Sequence, residues 1–231
     1  MSEAAKTKLR MKQTVFIVDD DPSICEGLAN LLESVSISTC SYPSAEAFKE
    51  GWGPEDAGCV LLDVRLPGIT GVEFQEQMRS IGIDLPIIFM TAHGDIPMVR
   101  KVMRAGAVEF LTKPFQKKEL LHAVDEAFAL DFARRQEVEN LREIRARIDS
   151  LSPREREVMA MVTAGMLNKQ IAADLNLSEI TVKLHRRQVM EKMQAGSLAE
   201  LVKMCERVKA PLRVVRPYAT PPQGADSSDE P

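Results

Sequence analysis

Residues 59–63 read CVLLD, a short apolar run that ends in a carboxylate, and this segment decides the predicted fold. Similar apolar runs occupy residues 14–18, 36–42, 86–90 and 108–111. Helix-like segments separate them near residues 22–34, 44–50, 71–80 and 96–104. Continuous apolar runs are typical of strands buried on both faces, and their alternation with helices favours βαβ units. Right-handed crossovers then predict an α/β domain whose parallel sheet carries helices on both sides.

The chain is long enough for a second domain. Its 231 residues, 25.7 kDa in mass, are 45% hydrophobic and 28% charged, an ordinary balance for a globular protein. Residues 1–126 hold 13 Lys and Arg against 19 Asp and Glu, a net charge of −6. Residues 150–210 hold 10 against 7, a net charge of +3. The overall charge of −4 excludes a generally basic nucleic-acid binder, so any such surface is expected to be local.

Several protein classes are excluded by what the sequence lacks. No apolar run approaches the roughly 20 residues of a membrane span, and the segment MSEAAKTKLRMKQ has no apolar signal core. We therefore expect a cytoplasmic protein. The glycine patterns of dinucleotide and P-loop sites are absent. Scattered spacing favours buried thiols in a reducing compartment, rather than disulfides or zinc ligands, for Cys25, Cys40, Cys59 and Cys205.

Composition and periodicity predict five segments along the chain. They are a flexible N-terminus (1–12), the α/β domain (13–128), a linker helix (129–149), a helical domain (150–210) and a disordered tail (211–231). The linker belongs to a stretch from about Glu119 to Ile148 that contains no Gly or Pro. Its apolar spacing is compatible with a solvated linker or with pairing to a second copy, and the sequence leaves both open.

Helix start signals divide the predicted helical domain. Ser152 and Glu155 form a capping-box pattern, with Pro153 at the first helical position. Asn168 and Ser178 are interpreted as N-caps, and the residues SLAE at 197–200 as a second capping box. The predicted helices are 153–164, 169–175, 179–193 and 198–208.

The ends of the predicted strands carry the residues suited to chemistry. Ligand sites of parallel sheets lie at the carboxyl ends of the strands, and the residues found there are Asp19, Asp20, Asp21, Asp63, Thr91 and Lys113. Neighbouring carboxylates repel one another, and a hard divalent cation such as Mg²⁺ relieves that repulsion. The cation also suits a phosphoryl ligand, and a carboxylate can accept a phosphoryl group as the nucleophile. Lys113 would supply positive charge and Thr91 a hydrogen bond, whereas Asp21 is interpreted as an N-cap.

The short segment NLS between the second and third predicted helices of the helical domain indicates a helix-turn-helix, whose second helix enters the major groove. The face of that helix predicted to pack inward carries Val182, His185, Val189 and Met193. The opposite face carries Ile180, Lys183, Leu184 and Arg187. Lys183 and Arg187 can reach guanine edges or phosphates, and Leu184 can touch a thymine methyl group. Lys169 and Thr181 lie in first turns, where side chains and amides can hold phosphates.

Four motifs in order resemble the signatures of the bacterial response-regulator receiver domain. They are IVDDD (17–21), LLDVRLPGITG (61–71), IIFMTAHGD (87–95) and FLTKPF (110–115). The resemblance covers roughly residues 12–130 and implies a flavodoxin-like (βα)5 fold. It also implies that Asp63 is the phosphoacceptor, in a site that contains Mg²⁺. Asp20 would hold the ion directly and Asp19 partly through water, together with Asp63 and the backbone carbonyl of Arg65.

The same resemblance assigns the residues around the phosphoryl group. Thr91 and Lys113 would contact the phosphoryl oxygens, and the Lys113–Pro114 peptide bond would be cis. Phe110 stands at the switch position, where many members of the family carry tyrosine. Since phenylalanine has no hydroxyl group, the switch formed by Thr91 and Phe110 is expected to depend on packing at that position.

Residues 150–208 closely resemble the LuxR-type helix-turn-helix, particularly in NKQIA (168–172) and TVKLH (181–185). The resemblance implies that Lys183, Leu184 and Arg187 read or grip DNA. It further implies that the apolar side of helix 198–208 is a dimerisation surface, formed by Leu198, Leu201, Val202 and Cys205. With its two domains, the chain resembles two-component response regulators of the FixJ/NarL family, most closely the FixJ subfamily.

The expected function is therefore phosphorylation-activated regulation of transcription. The expected partners are a sensor histidine kinase, promoter DNA, RNA polymerase and, after phosphorylation, a second copy of the chain. No enzyme activity is expected beyond self-phosphotransfer and autodephosphorylation. The main alternative is a phosphorylation-independent DNA binder that retains the receiver fold, and another is a helical domain that binds protein. A haloacid-dehalogenase-type phosphatase fits poorly, because that class needs Asp-x-Asp, whereas Asp63 is followed by Val64 and Arg65.

Overall fold

The computed structural model describes residues 13–53, 55–92 and 96–208, which form two compact units that divide after Glu137. The strands of the first unit are β1 (Thr14–Val18), β2 (Ser38–Tyr42), β3 (Gly58–Asp63), β4 (Arg65–Leu66), β5 (Ile69–Thr70), β6 (Ile87–Thr91) and β7 (Glu109–Thr112). The helices up to the unit boundary are α1 (Pro22–Glu33), α2 (Ala45–Gly51), α3 (Gly71–Ser80), α4 (Ile96–Arg104) and α5 (Lys117–Asp149), which crosses it in sequence. The helices of the second unit are α6 (Pro153–Thr163), α7 (Asn168–Leu175), α8 (Glu179–Met193) and α9 (Leu198–Val208).

The first unit contains a parallel five-stranded sheet in the order β2-β1-β3-β6-β7, with β4 and β5 forming a separate antiparallel pair. This doubly wound order confirms the predicted flavodoxin-like α/β fold. The order reverses direction at the β1–β3 pair, and Val18 lies opposite Leu62 in that pair. The residues that follow, Asp19 and Asp63, therefore leave the sheet side by side at its carboxyl edge.

Alternating side chains of the central strands fill two cores, one on each face of the sheet. Every residue of β3 is buried, as expected for a central parallel strand covered on both faces. Phe16, Val60, Leu62 and Phe89 contribute to one core, in which Phe48 and Phe74 also pack. The intervening residues contribute to the other core, which includes Val15, Ile17, Leu61, Ile88, Leu120 and Val124. Because side chains alternate along a strand, the apolar runs of the sequence supply both cores at once.

A buried carboxylate attaches helix α5 to the amino edge of the sheet. Asp131 of α5 is fully buried, and its Oδ2 accepts hydrogen bonds from the backbone N–H of Gly58 and from Arg135 Nε, both at 3.0 Å. Arg134 Nη2 donates to its other oxygen at 2.7 Å. Two arginines and a backbone amide thus compensate a charge that would be costly to bury alone. Gly58 leaves no room beside the sheet, since an added Cβ would lie 1.8 Å from the backbone oxygen of Thr14.

The second unit is helical, as predicted, and its four helices pack around two apolar clusters. The larger cluster also contains residues that precede α6. Its buried members are Ile144, Leu151, Met159, Val189, Met193, Ala195, Leu201, Met204 and Cys205. Ile144 and Ile148, from the segment predicted as a linker helix, therefore pack against the helices of this unit. Leu201 and Cys205 are also in this core, so only Leu198 and Val202 of the predicted dimerisation surface retain substantial exposure.

Helix caps agree with the predictions except at two positions. Asp21 caps α1, and Ser152 and Glu155 form a complete capping box at α6. The interpretation of Asn168 as an N-cap is wrong, because Leu167 occupies the cap position and its N–H donates to Gln170 Oε1 at 2.8 Å. The second capping box is also incomplete. Glu200 reaches the N–H of Gly196 instead of the N–H of Ser197.

Among the described residues, no helix is both long enough and apolar enough to span a membrane. The remaining predictions for the chain ends, a flexible segment at 1–12 and a disordered tail at 211–231, lie outside the described residues.

Substitution of Gly58 by alanine is expected to lower the free energy of unfolding of the first unit by more than about 3 kcal/mol, because of the backbone clash and a positive φ of 138°. Urea unfolding followed by the fluorescence of Trp52, the one tryptophan, measures this change. Gly27→Ala is the matched control, since a Cβ there meets nothing within 4 Å. The control should unfold at equal or higher urea, because alanine is the better helix former. Equal midpoints for the two variants would contradict the prediction.

Acid is expected to destabilise the second unit through Glu155. Hydrogen bonds from Lys192 Nζ at 2.6 Å and from the N–H of Ser152 at 2.7 Å lower the pKa of this nearly buried carboxyl. A lowered folded-state pKa adds stability above the unfolded pKa of about 4.3, and that stability is lost as pH falls through the folded value. The urea midpoint, measured by circular dichroism between about pH 6 and pH 3, should therefore fall less steeply for Glu155→Gln than for the wild type. Glu206→Gln, an exposed control, should follow the wild type.

Candidate functional site

The carboxyl edge of the sheet brings together three side chains that are distant in sequence. Asp19 follows β1, Asp63 ends β3 and Lys113 follows β7. Lys113 Nζ lies 2.6 Å from Asp19 Oδ2 and 3.0 Å from Asp63 Oδ1. The two carboxylates are nearly buried, with 2% of Asp19 and 8% of Asp63 exposed. One ammonium group therefore bridges two carboxylates in a setting with little solvent screening.

The charge of Lys113 is maintained by its two partners. Burial alone would lower the pKa of the ammonium group, but the hydrogen bonds to Asp19 and Asp63 outweigh that effect and raise the pKa. Lys113 thus stays protonated throughout the physiological range. The Lys113–Pro114 peptide bond is cis, as the family resemblance implied.

Backbone amides orient the remaining oxygens of the two carboxylates. The N–H of Arg65 donates to Asp63 Oδ2 at 2.8 Å, and the N–H of Asp21 donates to Asp19 Oδ1 at 3.0 Å. Every oxygen of Asp19 and Asp63 consequently accepts a hydrogen bond from Lys113 or from a backbone amide. Such bonds fix the orientation of a carboxylate. Asp63 is in this way held in a fixed orientation at the edge of the sheet.

The donor chemistry of this edge fits a hard divalent cation. Asp19 and Asp63 are brought together through Lys113, whereas Asp20 is exposed beside Asp19. Among the described residues, no group of three or more His, Cys, Asp or Glu side chains is arranged to hold a metal ion. Three carboxylates against one ammonium nevertheless leave excess negative charge, and carboxylate oxygens are the ligands that Mg²⁺ prefers. The residues therefore fit Mg²⁺ by charge and ligand type.

Thr91 lies on β6, the strand next to β3, and Phe110 lies on β7, the edge strand beyond β6. Thr91 is the last residue of β6, is almost fully buried, and pairs with Thr112 of β7 in register. Phe110 of β7 is half-buried and packs against the core that contains Phe89. Thr91 therefore ends its strand at the same edge as Asp63, and Phe110 lies further back along the neighbouring strand.

Cys25 is a neighbour of this site that the sequence patterns did not indicate. Its thiol donates to the backbone carbonyl of Asp19 at 3.4 Å. Burial, and then the negative charge of Asp19, raise the pKa of the Cys25 thiol. The thiol thus stays neutral and supports the end of β1. Its position one turn into α1, after the N-cap Asp21, is the local signal that places it there.

Helix α8 presents the predicted polar face outward in the second unit. Val182, Val189 and Met193 are buried, and His185 is half-buried, in agreement with the predicted inward face. The residues of the opposite face are all exposed: Ile180, Lys183, Leu184 and Arg187. Lys169 is exposed in the first turn of α7, and Thr181 is half-buried in the first turn of α8. The structure therefore leaves a basic and apolar helix face open to solvent.

Two neighbouring arginines of α8 have different partners. Arg186 Nη1 donates to Asn168 Oδ1 at 2.6 Å and so links α8 to the start of α7. Arg187 Nε instead donates to Glu191 Oε1 at 2.7 Å on the exposed side of the helix. Neither contact was predicted, although the spacing of four residues between Arg187 and Glu191 is a readable signal.

Both units match protein families in sequence. Residues 15–125 match the response regulator receiver domain, and residues 149–205 match the luxR family of bacterial regulatory proteins.

Similar proteins share both units. Nodulation protein W of Bradyrhizobium diazoefficiens is 44% identical over 204 residues, which cover 88% of this chain and 90% of that protein. The transcriptional regulatory protein FixJ of Rhizobium meliloti is 40% identical over 191 residues, covering 83% of this chain and 94% of that protein. The matched regions thus cover nearly the whole length of both relatives.

Solved structures of similar proteins extend the match to the fold. The response regulator StyR is 45% identical with a TM-score of 0.75, covering 85% of this chain and 99% of that one. Full-length FixJ from B. japonicum is 37% identical with a TM-score of 0.52, covering 86% and 98%. With a receiver domain, a LuxR-type helix-turn-helix domain and relatives of the same organisation, the chain belongs to the two-component response regulators of the FixJ type.

Proposed function

We propose that this response regulator is switched by transfer of a phosphoryl group from a sensor histidine kinase to Asp63. The observation that carries the proposal is the contact of Lys113 Nζ with Asp19 and Asp63, at 2.6 and 3.0 Å. It supports the proposal because a carboxylate that could act as the nucleophile, a compensating cation and a second carboxylate meet at one edge of the sheet. These are the groups that phosphoryl transfer to a carboxylate requires.

The transfer forms one bond and breaks one. An oxygen of Asp63 bonds to phosphorus, the bond from phosphorus to the histidine nitrogen of the kinase breaks, and the electron pair stays on that nitrogen. Lys113 then has phosphoryl oxygens as partners in addition to its carboxylates, and Thr91 donates a hydrogen bond to the group. Asp19, Asp20, Asp63 and the carbonyl of Arg65 would hold Mg²⁺, which when bound would supply charge neutralisation at the phosphoryl oxygens.

The proposed response follows from the added charge. A phosphoryl group brings between one and two negative charges to a nearly buried carboxylate. Thr91 would move toward it, and Phe110 would repack on the neighbouring strand, where phenylalanine acts by packing alone. Because Thr91 precedes α4 and Phe110 belongs to β7, the surface formed by α4 and β7 changes. We propose that this surface promotes dimerisation and so binding to paired half-sites of a promoter.

The exposed face of α8 is the proposed DNA-reading surface. Lys183 and Arg187 would contact guanine edges or phosphates, and Leu184 a thymine methyl group. Lys169 and Thr181 would hold the DNA backbone from the first turns of their helices. RNA polymerase is the proposed further partner at the promoter, in the cytoplasm. Beyond accepting phosphate and losing it by hydrolysis, we propose no catalytic activity.

We assign the proposed functions to the segments predicted from the sequence. Residues 13–128 receive the phosphoryl group, 150–210 bind DNA, and 129–149 connect them, with 1–12 and 211–231 outside both functions. A second candidate function is phosphorylation-independent DNA binding. This candidate is favoured if Asp63 accepts no phosphoryl group. The hydrogen bonds to all four carboxylate oxygens of Asp19 and Asp63 instead favour a site arranged for phosphoryl transfer.

Incubation with acetyl phosphate and Mg²⁺ is expected to add one phosphoryl group to the wild type and none to Asp63→Asn, because the amide cannot act as the nucleophile. Intact mass spectrometry measures the addition. Asp84→Asn is the matched control, since Asp84 is exposed before β6 at the opposite end of the sheet, and it should be phosphorylated like the wild type. A folded wild type that gains no mass, or an Asp63→Asn variant that does, would contradict the phospho-switch and favour the phosphorylation-independent alternative.

Replacement of Lys183 by alanine is expected to weaken binding to a selected promoter site by roughly tenfold or more, because a base or phosphate contact is lost. If the contact is to a phosphate, the slope of log affinity against log salt should also fall by about 0.9. Fluorescence anisotropy over a salt series measures both quantities. Lys203→Ala, which removes an exposed lysine from α9, should leave both unchanged. Equal effects of the two variants would show that only general charge matters.

A further inference from the structure

The ion pair between Arg187 and Glu191 lies on the exposed face of α8, with 78% of the Arg187 side chain and 60% of the Glu191 side chain exposed. The contact is made by Nε of the guanidinium group, which donates to Glu191 Oε1 at 2.7 Å. Among the described residues, the guanidinium group of Arg187 has no other hydrogen-bond partner. Both Nη atoms therefore remain available while Nε is engaged by Glu191.

We propose that Glu191 is a specificity-determining positioning residue, which holds Arg187 by Nε so that its two Nη atoms meet the O6 and N7 atoms of a guanine. This inference rests on the proposed DNA-reading role of Arg187. The guanidinium group is a planar fork, and two of its N–H donors match the two acceptors of guanine in the major groove. Because Nε already donates to Glu191, the pair of donor atoms left for a base is the two Nη atoms at the outer end of the side chain. Glu191 thus selects the end of the fork that faces the DNA.

The neighbouring arginine shows that this arrangement is particular to Arg187. Arg186 uses an Nη atom on Asn168 Oδ1 at 2.6 Å, so its fork is turned toward α7. Of these two adjacent guanidinium groups, only that of Arg187 is held at Nε with the fork left open. Preorganisation also has a physical benefit. A long exposed arginine samples many rotamers, and restraining it before binding reduces the entropy lost when the base contact forms.

Helix stability does not explain the acidic residue at position 191. A cation four residues before an anion is the less favourable order for such a pair in a helix. Glu191 also lies in the last turn of α8, where a negative charge opposes the helix dipole. A carboxylate on a DNA-facing surface further repels phosphates. A carboxylate at this position is accounted for if it improves the contact of Arg187 with a base at some cost in general affinity.

The inference therefore predicts opposite changes in two measurable quantities. Glu191→Gln removes the negative charge, so binding to random-sequence DNA should strengthen, by about two- to fivefold at low salt. The preference for guanine at the position read by Arg187 should fall, by roughly five- to tenfold, because a good bidentate contact supplies at least that discrimination. A residue that only stabilises the helix would not move these two quantities in opposite directions.

The experiment uses the full-length protein phosphorylated with acetyl phosphate. Binding sites are enriched from a random-sequence duplex library by the wild type, and base preferences are then measured for each variant on single-base substitutions of the enriched site. Arg187→Ala identifies the guanine that this residue reads. Glu206→Gln, which removes an exposed charge from α9, is the matched control and should retain that preference. Thermal unfolding confirms that each variant is folded.

Each outcome decides the inference. Reduced guanine preference with increased non-specific affinity in Glu191→Gln alone supports it. Retained preference in Glu191→Gln, with lost preference in Arg187→Ala, overturns the role of Glu191 and leaves the proposed function intact. No change in Arg187→Ala overturns the base contact on which the inference depends. A phosphorylated wild type that enriches no sequence overturns the proposed DNA-binding function, and this inference with it.

Discussion

The repulsion between Asp19 and Asp63 is the constraint on which the carboxyl edge of the receiver depends. The register of β1 against β3 brings these two nearly buried carboxylates side by side. Burial of unpaired charges is costly, and Lys113 offsets that cost by bonding to both. The arrangement leaves one negative charge in excess. It is therefore sensitive to any further charge added to Asp63, which is the chemical event proposed for this site.

Much of this edge could be predicted because its signals are local. The apolar runs fix the strands, a parallel sheet aligns their carboxyl ends, and the residues after each run are then brought to one place. This reasoning located Asp19, Asp63, Thr91 and Lys113 without knowledge of their distances. The inward and outward faces of α8 followed from helical periodicity in the same way. Both results depend only on repeats of two or 3.6 residues along the chain.

The sequence did not indicate the contacts that polar side chains make with groups distant in sequence, because no repeat along the chain marks them. Asp131 meets Gly58 across 73 residues, and Arg186 meets Asn168 across 18. Polar residues on a helix give no sign of which backbone amide or amide side chain they will reach. The burial of Leu201 was missed for a related reason. An apolar helix side can face its own core or a second copy, and only the packing of α9 against Val189 and Met193 decides between them.

In both proposed functional sites a basic side chain is paired with a carboxylate, but the two sites differ in burial. Lys113 and Arg187 are both oriented by carboxylates, but the pairs of Lys113 are shielded and that of Arg187 is exposed. A shielded pair is little screened by solvent, so it responds when its charge balance changes, as it would on phosphorylation. An exposed pair contributes little to the stability of the fold. Lys113 is thus suited to a phosphorylation switch with stable states. Arg187 is suited to a DNA contact that forms and breaks on many sequences.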